Sequence, residues 1–298
     1  MRRLKLAKLA AVAVITASFF SCKSAPELNP VDAFDVLEPG LAMYLSVPVQ
    51  PNIDFVTLAV QNLAKISEND ARKITERLET AYIAVDSDGE IQLSASGNIP
   101  TAFVGLALRE KNGWKGGIVE QQTVYTHQQT QYQLCLPSSS NAFLSRKIEP
   151  MVKKYNDIAF ATFQENKPSK VEAYNLNLLS SRLTEKTYRF LHEELAADIK
   201  LYSPKPQVFT KVFLGSEIGV PVNSVFAELS QYQGVKEQFN VKLILNLAEA
   251  RTVKATIAMM KIAFFGSGIP AKITQTGPSQ ITIIDLPVTQ EQIFFLIR

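Results

Sequence analysis

The sequence predicts an α+β fold: antiparallel sheets flanked by amphipathic helices. Three patterns carry that expectation. Short segments alternate apolar and polar residues, as in Met43, Leu45, Val47 and Val49, or Val241, Leu243, Leu245 and Leu247. A period of two belongs to a strand with one buried face. Pairs of such segments are joined by turn residues, Asp86-Ser87-Asp88-Gly89 and Gly277-Pro278, as hairpins require. Between them run stretches in which apolar residues recur with the 3.6-residue period of a helix resting on a core.

In chain order, Lys23 to Pro30 is polar and contains Pro26 and Pro30, the composition of a short tether. Gly40 to Val49 reads as the first strand. Residues 53–80 read as helix in two pieces. Val56, Val60, Leu63, Ala71, Ile74 and Leu78 share one side, and Lys65, Glu68, Arg72, Glu76 and Glu79 lie opposite. Ser67-Glu68-Asn69-Asp70 resembles a capping box and marks the second start. A hairpin at 82–95 leads into a short apolar segment, Ala102 to Leu108. Trp114 to Tyr125 and Gln131 to Leu136 are expected strands. Asn141 to Tyr155 is an expected helix, Ile158 to Phe163 a strand, and Leu183 to Ile199 an amphipathic helix. Gln207 to Leu214 alternates as a strand does, and Val222 to Leu229 fits helix or strand. The strand Phe239 to Leu247 runs into a helix, Ala248 to Phe265, closed by Gly266-Ser267-Gly268. A hairpin over 271–286 and a short helix from Gln290 to Ile297 end the chain.

The order strand, apolar helix, strand, strand, proline, helix occurs over 91–155 and again over 239–297. Gln133-Leu134-Cys135-Leu136-Pro137 and Ile283-Ile284-Asp285-Leu286-Pro287 close the two blocks alike. Two pseudo-repeats packed as one α/β/α unit would produce this order. Small antiparallel sheets with one helix also resemble each other without duplication.

The N-terminus is an address. Arg2, Arg3, Lys5 and Lys8 precede an apolar run from Leu9 to Phe20, interrupted only by Thr16 and Ser18. A basic stretch followed by a short apolar one is a secretory signal and is too short to span a bilayer. It ends at Phe19-Phe20-Ser21-Cys22, which resembles a bacterial lipoprotein lipobox. The resemblance implies cleavage before Cys22 and acylation of that cysteine. Ser21 fits the usual pattern; Phe19 and Phe20 depart from it toward the relaxed lipoboxes of spirochaetes. By resemblance to the sorting rules of enterobacterial lipoproteins, the lack of Asp after the cysteine favours the outer membrane over the inner. The expected organisation is a signal peptide at 1–21, a lipidated N-terminus and tether at 22–40, a first α+β module at 41–156 and a second at 157–298.

The chain carries a formal charge of +3, and its signal holds four cations and no acid, leaving the mature protein near −1. No basic polymer-binding signature remains, which argues against nucleic acid as a partner. Hydrophobic residues make up 46%, enough for a packed core. The two cysteines are Cys22 and Cys135. With Cys22 acylated, Cys135 has no partner, so this exported chain relies on its core rather than on disulfides. Cys135 lies in an expected strand and reads as a small buried apolar side chain.

Motifs for chemistry are missing. His127 and His192 are the only histidines, and His192-Glu193-Glu194 lacks the second histidine of a zinc-protease helix. Gly215-Ser216-Glu217-Ile218-Gly219 is not a nucleophile elbow, because its serine adjoins the first glycine. Asp86-Ser87-Asp88-Gly89 lacks the remaining ligands of a calcium loop. Trp114, after Asn112-Gly113, reads as a sheet anchor. No enzyme, cofactor or metal is expected.

The 248–265 helix has more apolar surface than a core needs. Ala250, Val253, Ile257, Met260 and Phe264 form one apolar face, and Ala255, Ala258, Met259, Ile262 and Phe265 a second. A narrow basic stripe, Arg251, Lys254 and Lys261, runs between them. A helix on a sheet needs one apolar face. A second, beside cations, suits a lipid surface with anionic head groups, or burial between two layers. The candidate membrane-contact residues are Arg251, Lys254, Met259, Lys261, Ile262 and Phe265. Residues 102–108 hold the matching place in the first half.

With its Phe-Phe-Ser-Cys lipobox, length, missing disulfide and scattered amphipathic helices, the chain resembles treponemal outer-membrane lipoproteins with membrane-inserting helices. That resemblance implies an α/β/α fold on the periplasmic face, membrane association and perturbation of the bilayer. The leading expectation is a lipid-anchored protein whose helices bind, and can permeabilise, the outer membrane. A periplasmic lipid carrier with an apolar cavity and a scaffold binding another envelope protein are the alternatives.

Overall fold

The computed structural model describes residues 28–100, 108–161, 176–193, 196–207, 219, 221–232 and 237–296. Its frame is a twelve-stranded sheet. In chain order the strands are β1 (Met43–Pro48), β2 (Leu78–Val85), β3 (Ile91–Gly97), β4 (Trp114–Val119), β5 (Gln122–His127) and β6 (Gln133–Cys135). They continue with β7 (Asn141–Ser145), β8 (Ile199–Ser203), β9 (Val222–Gln231), β10 (Gln238–Leu247), β11 (Lys272–Gly277) and β12 (Gln280–Thr289). The order across the sheet is β11-β12-β10-β9-β8-β1-β2-β3-β7-β6-β5-β4. Every pairing is antiparallel. The two halves meet where β1 pairs β8, through Tyr44–Tyr202, Leu45–Leu201 and Ser46–Lys200.

Helices cover both faces. They are α1 (Ile53–Ala64), α2 (Glu68–Thr75), α3 (Glu149–Ala159), α4 (Leu179–Arg182), α5 (Glu185–Tyr188), α6 (Val253–Gly266) and α7 (Gln290–Leu296). After α5 the chain continues as a π turn, Arg189–Glu193. Alternation along each strand sends its two sets of side chains into separate cores. Met43, Leu45 and Val47 of β1 join Phe55 and Val56 of α1, Val253, Met260 and Phe264 of α6, and Phe294 of α7. Tyr44, Tyr82 and Phe143 point the other way, to Met151, Val152 and Tyr155 of α3, Leu179 of α4 and Leu191 of the π turn. The sheet is therefore the middle of an α/β/α sandwich, and the α+β class expected from the sequence holds.

Several boundaries differ from expectation. The helix predicted to reach residue 80 stops at Thr75, since Leu78 is needed in the sheet, where it pairs with Gly97. Its start is as expected: Ser67 Oγ accepts the Asp70 N–H at 3.2 Å. Residues 114–125 are a hairpin rather than one strand, with Glu120 and Gln121 both at positive φ (47° and 66°) in the turn. Asn141–Ser145 is β7, not the start of a helix; Phe143 fills one core and Leu144 the other, so burial on both faces hides the period of two. Ile158 and Ala159 end α3 instead of opening a strand. The helix expected over 183–199 is shorter, and Ile199 starts β8. Val222–Gln231 is a strand. The apolar segment at 102–108, apart from Leu108, and the strand expected at 207–214, apart from Gln207, lie outside the described residues.

Candidate functional site

Helix α6 is built from strong helix formers. Ala255, Ala258, Ala263, Met259 and Met260 lose little freedom in a helix, and no proline or glycine interrupts the run before Gly266. A 3₁₀ turn, Ala250–Thr252, leads into it. Thr256, fully buried, donates its hydroxyl to the Thr252 carbonyl at 2.9 Å, so no polar group is left bare against the sheet. At the other end Gly268 takes φ +67°, a conformation costly for other residues, and its N–H meets the Phe265 carbonyl.

One side of α6 is core. Val253, Thr256, Met260 and Phe264 are buried, and the apolar ones share a cluster with Ile273 of β11 and Ile281 and Ile283 of β12. The other side is bare. Met259 is 51% exposed, Ile262 73% and Phe265 90%. Ala255 and Ala258 are exposed beside them. Lys254 and Lys261, two turns apart, flank this strip on one side. Both are exposed, and neither has an acid within ion-pair distance among the described residues. Arg251 differs: it precedes the helix, is exposed, and pairs with Glu249. The structure thus places five of the six predicted contact residues on α6 itself and one in the turn before it. Cys22 lies outside the described residues.

The balance of forces on this strip is apolar. Burying side chains such as Met, Ile and Phe is worth roughly 1.5–3 kcal/mol each. A lysine near an anionic surface contributes about 1 kcal/mol, and salt screens it. Grease therefore sets whether the strip holds an apolar phase, and the lysines tune which one. Among the described residues no helix is long and apolar enough to cross a membrane, which leaves spanning by strands untouched.

Two clefts accompany the helix layers. One, of ≈ 540 Å³, is lined by Lys186, Arg189, Phe190, Phe226, Glu228 and Ile244, among others. Its Glu228 carboxylate is held by Lys200 at 3.4 Å and Lys242 at 3.1 Å. A second, of ≈ 450 Å³, has Arg146 stacked over the Tyr132 ring at 4.7 Å. Cys135 is fully buried in β6, and burial pushes its thiol up to about 12, so it is chemically quiet. Trp114 is fully buried as well; Gly113 before it sits at φ +81°, and a Cβ there would come within 3.1 Å of the His127 ring. No group of three or more His, Cys, Asp or Glu among the described residues could hold a metal.

Sequence reasoning missed one polar cluster. His192 Nε2 lies 2.7 Å from Asp32 Oδ2, and its ring stacks with those of Tyr82 and Tyr188. The partners come from distant parts of the chain, so no local spacing could have marked them.

Comparison with known families gives first a class: the protein is an outer membrane-associated lipoprotein. It belongs to the TP0453 family, whose model, described as outer membrane-associated lipoprotein TP0453, matches residues 28–294. Solved crystal forms I and III of TP0453 superpose with TM-scores of 0.64 each, at 18% and 19% identity. They cover 90% of this chain and 97% and 98% of theirs. Crystal form IV gives 0.59 at 17% identity, over 90% and 97%. At such identities the likeness concerns the fold. No curated protein matches in a sequence search.

Proposed function

We propose that this protein is a non-enzymatic lipoprotein, acylated at Cys22 with palmitate or a related chain, that lies on the periplasmic leaflet of the outer membrane. It enters that leaflet through the bare side of α6 and loosens its packing. Residues 1–21 act as signal peptide, 22–40 as lipidated end and tether, and 41–156 and 157–298 as two modules. The partner is membrane lipid, met by the covalent chain and by Met259, Ile262 and Phe265, with Lys254, Lys261 and, more weakly, Arg251 at the head groups. The observation that most supports this is the 90% exposure of Phe265 and 73% of Ile262 on a helix whose opposite side is core. Contiguous apolar surface of this kind marks a contact site.

The test uses the mature chain with Cys22→Ser, so that no acyl chain contributes. It should float with anionic liposomes and less strongly with neutral ones. Ile262→Glu and Phe265→Glu should lose flotation on both while melting as the parent does, because the carboxylate enters solvent and not the core. Arg251→Gln, Lys254→Gln and Lys261→Gln together should weaken anionic binding by roughly tenfold to a hundredfold at low salt. A folded Ile262→Glu protein that floats like its parent removes α6 from the mechanism.

A further inference from the structure

The His192 cluster holds down the first ordered turn of the fold. Asp32 caps that turn by accepting the Phe34 N–H at 2.9 Å, and its other oxygen meets His192 at 2.7 Å. Phe34, 1% exposed, sets its ring edge-on against Tyr82, Tyr188 and His192, with centroids 5.2, 5.8 and 5.3 Å away. Asp35 accepts the Ser180 N–H of α4 at 2.8 Å. Beyond them the chain is bolted to main-chain carbonyls: the Lys154 ammonium donates to that of Leu37 at 2.7 Å, and Tyr44 Oη to that of Glu38 at 2.9 Å. Residues 31–36 are therefore a strap, fastened at one end by these contacts and along its length by the His192–Asp32 pair and the bond from Ser180 to Asp35.

We propose that residues 31–36 form a pH-sensitive strap, clamped onto the π turn by the charged His192–Asp32 pair and loosened when His192 loses its proton. An imidazolium stacked with two tyrosine rings gains from their quadrupoles as well as from the carboxylate. Neutral imidazole keeps a hydrogen bond and loses the rest. The charged or titratable groups facing His192 are Asp32 and Asp35 from the strap, Tyr82 from β2, and Tyr188, Arg189 and Glu193 from its own segment. Tyr44 of β1 and Lys200 of β8 lie under the same segment, Lys200 with its ammonium 5.4 Å from the Phe190 ring.

The electrostatics agree in sign. The Asp32 hydrogen bond, opposed by burial and aided by the charge of Asp32, holds His192 above its ordinary value. Burial works to raise Asp32, but the His192 bond and charge outweigh it, and the carboxyl sits below its ordinary value. A base with a raised value stabilises the folded arrangement at low pH and stops doing so as pH climbs through that value. The acid is lost only well into the acidic range. The clamp thus works between the two and opens on the alkaline side. On the Cys22-anchor reading, and only on it, a loosened strap adds six residues, roughly 20 Å, to the reach of the tether.

The test is amide hydrogen exchange on the mature Cys22→Ser chain, corrected for intrinsic rates, with β10 amides as the internal reference. Protection of the Phe34 and Asp35 amides should fall at least about threefold from pH 5.5 to pH 8.5 relative to β10, with the comparison made in Lys154→Met so that only His192 titrates near the strap in this range. In His192→Gln it should be low at both pH values. Should that variant misfold, the wild-type His192 ring resonances and the Phe34 amide are titrated by NMR, and they should share one inflection above pH 6.5. Equal protection at both pH values, a wild-type pH response in His192→Gln, or separate inflections would overturn the strap. Liposome flotation plays no part in the readout, so failure of the membrane reading leaves this result standing.

Discussion

Lys154 is only 9% exposed, and its ammonium donates to the Leu37 carbonyl at 2.7 Å. Burial pulls its value down to about 8, against the opposing pull of Glu38 and Asp35. A base whose folded value lies below its unfolded one binds fewer protons when folded, so its contribution to stability rises with pH between the two values. For Lys154 that window runs from about 8 to its ordinary value of 10.5. Lys154→Met has no such term. In urea unfolding the wild type should therefore gain on Lys154→Met by roughly 2 kcal/mol from pH 7.5 to pH 9.5. Parallel pH profiles for the two proteins would mean that the ammonium is solvated. Nothing in the sequence marks Lys154 as special: it follows Lys153 on a helix, and its burial comes from Leu37, more than a hundred residues away.

At the scale of elements, legibility followed how much of an element's signal is local. Strand β10 could be read because it has one wet face and an alternating pattern, and the hairpin of β11 and β12 because Gly277-Pro278 marks its turn. Strand β7 could not, because Phe143 and Leu144 are both buried. Helix α6 was legible as a helix with two apolar sides, but periodicity is symmetric and does not say which side meets the sheet. The packing of Val253, Met260 and Phe264 on β11 and β12 decides that. The β4–β5 hairpin was missed for a different reason. Its turn residues, Glu120 and Gln121, occupy left-handed backbone without a glycine or asparagine to announce it. That conformation costs roughly 1 kcal/mol per ordinary residue. Glu120→Asn with Gln121→Gly should raise stability by about 1 kcal/mol, read as a higher urea midpoint at unchanged slope. The bond from Asn156 Nδ2 to the Glu120 carbonyl, 2.7 Å, involves backbone and survives the change. A midpoint that stays put would show that the turn is relaxed as it stands.

For the whole molecule, the sheet matters more than the division into halves. The pairing of β1 with β8 puts Leu45 beside Leu201, 1% and 0% exposed, in a core that runs on through β9, β10 and β12. Residues 31–298 form one compact unit. Unfolding should accordingly be a single transition. Fluorescence of Trp114, the chain's one tryptophan, at the β4 end and hydrogen exchange of β10 toward the other should report the same free energy. Leu201→Ala should lower both by about 2–5 kcal/mol. Distinct midpoints, or a loss confined to β10, would show halves that melt independently. The sequence offered repeats and suggested two modules packed as one unit; the strand pairing that joins them is long-range and leaves no mark in either strand.

The place of α6 at the rim of the sheet limits how it can act on a bilayer. Peeling it off would strip Val253, Met260 and Phe264 from the core, at a cost on the order of 5 kcal/mol. Met259, Ile262 and Phe265 could return no more than a similar sum from lipid. On the proposed contact the helix stays riveted to its strands and sinks to roughly 5 Å, half a helix diameter. It then acts as a wedge: it spreads the head groups of a single monolayer and leaves the opposite one at its former area. Many such wedges on the inward side would bend the membrane toward the protein, so crowding, not penetration depth, would govern when the barrier leaks.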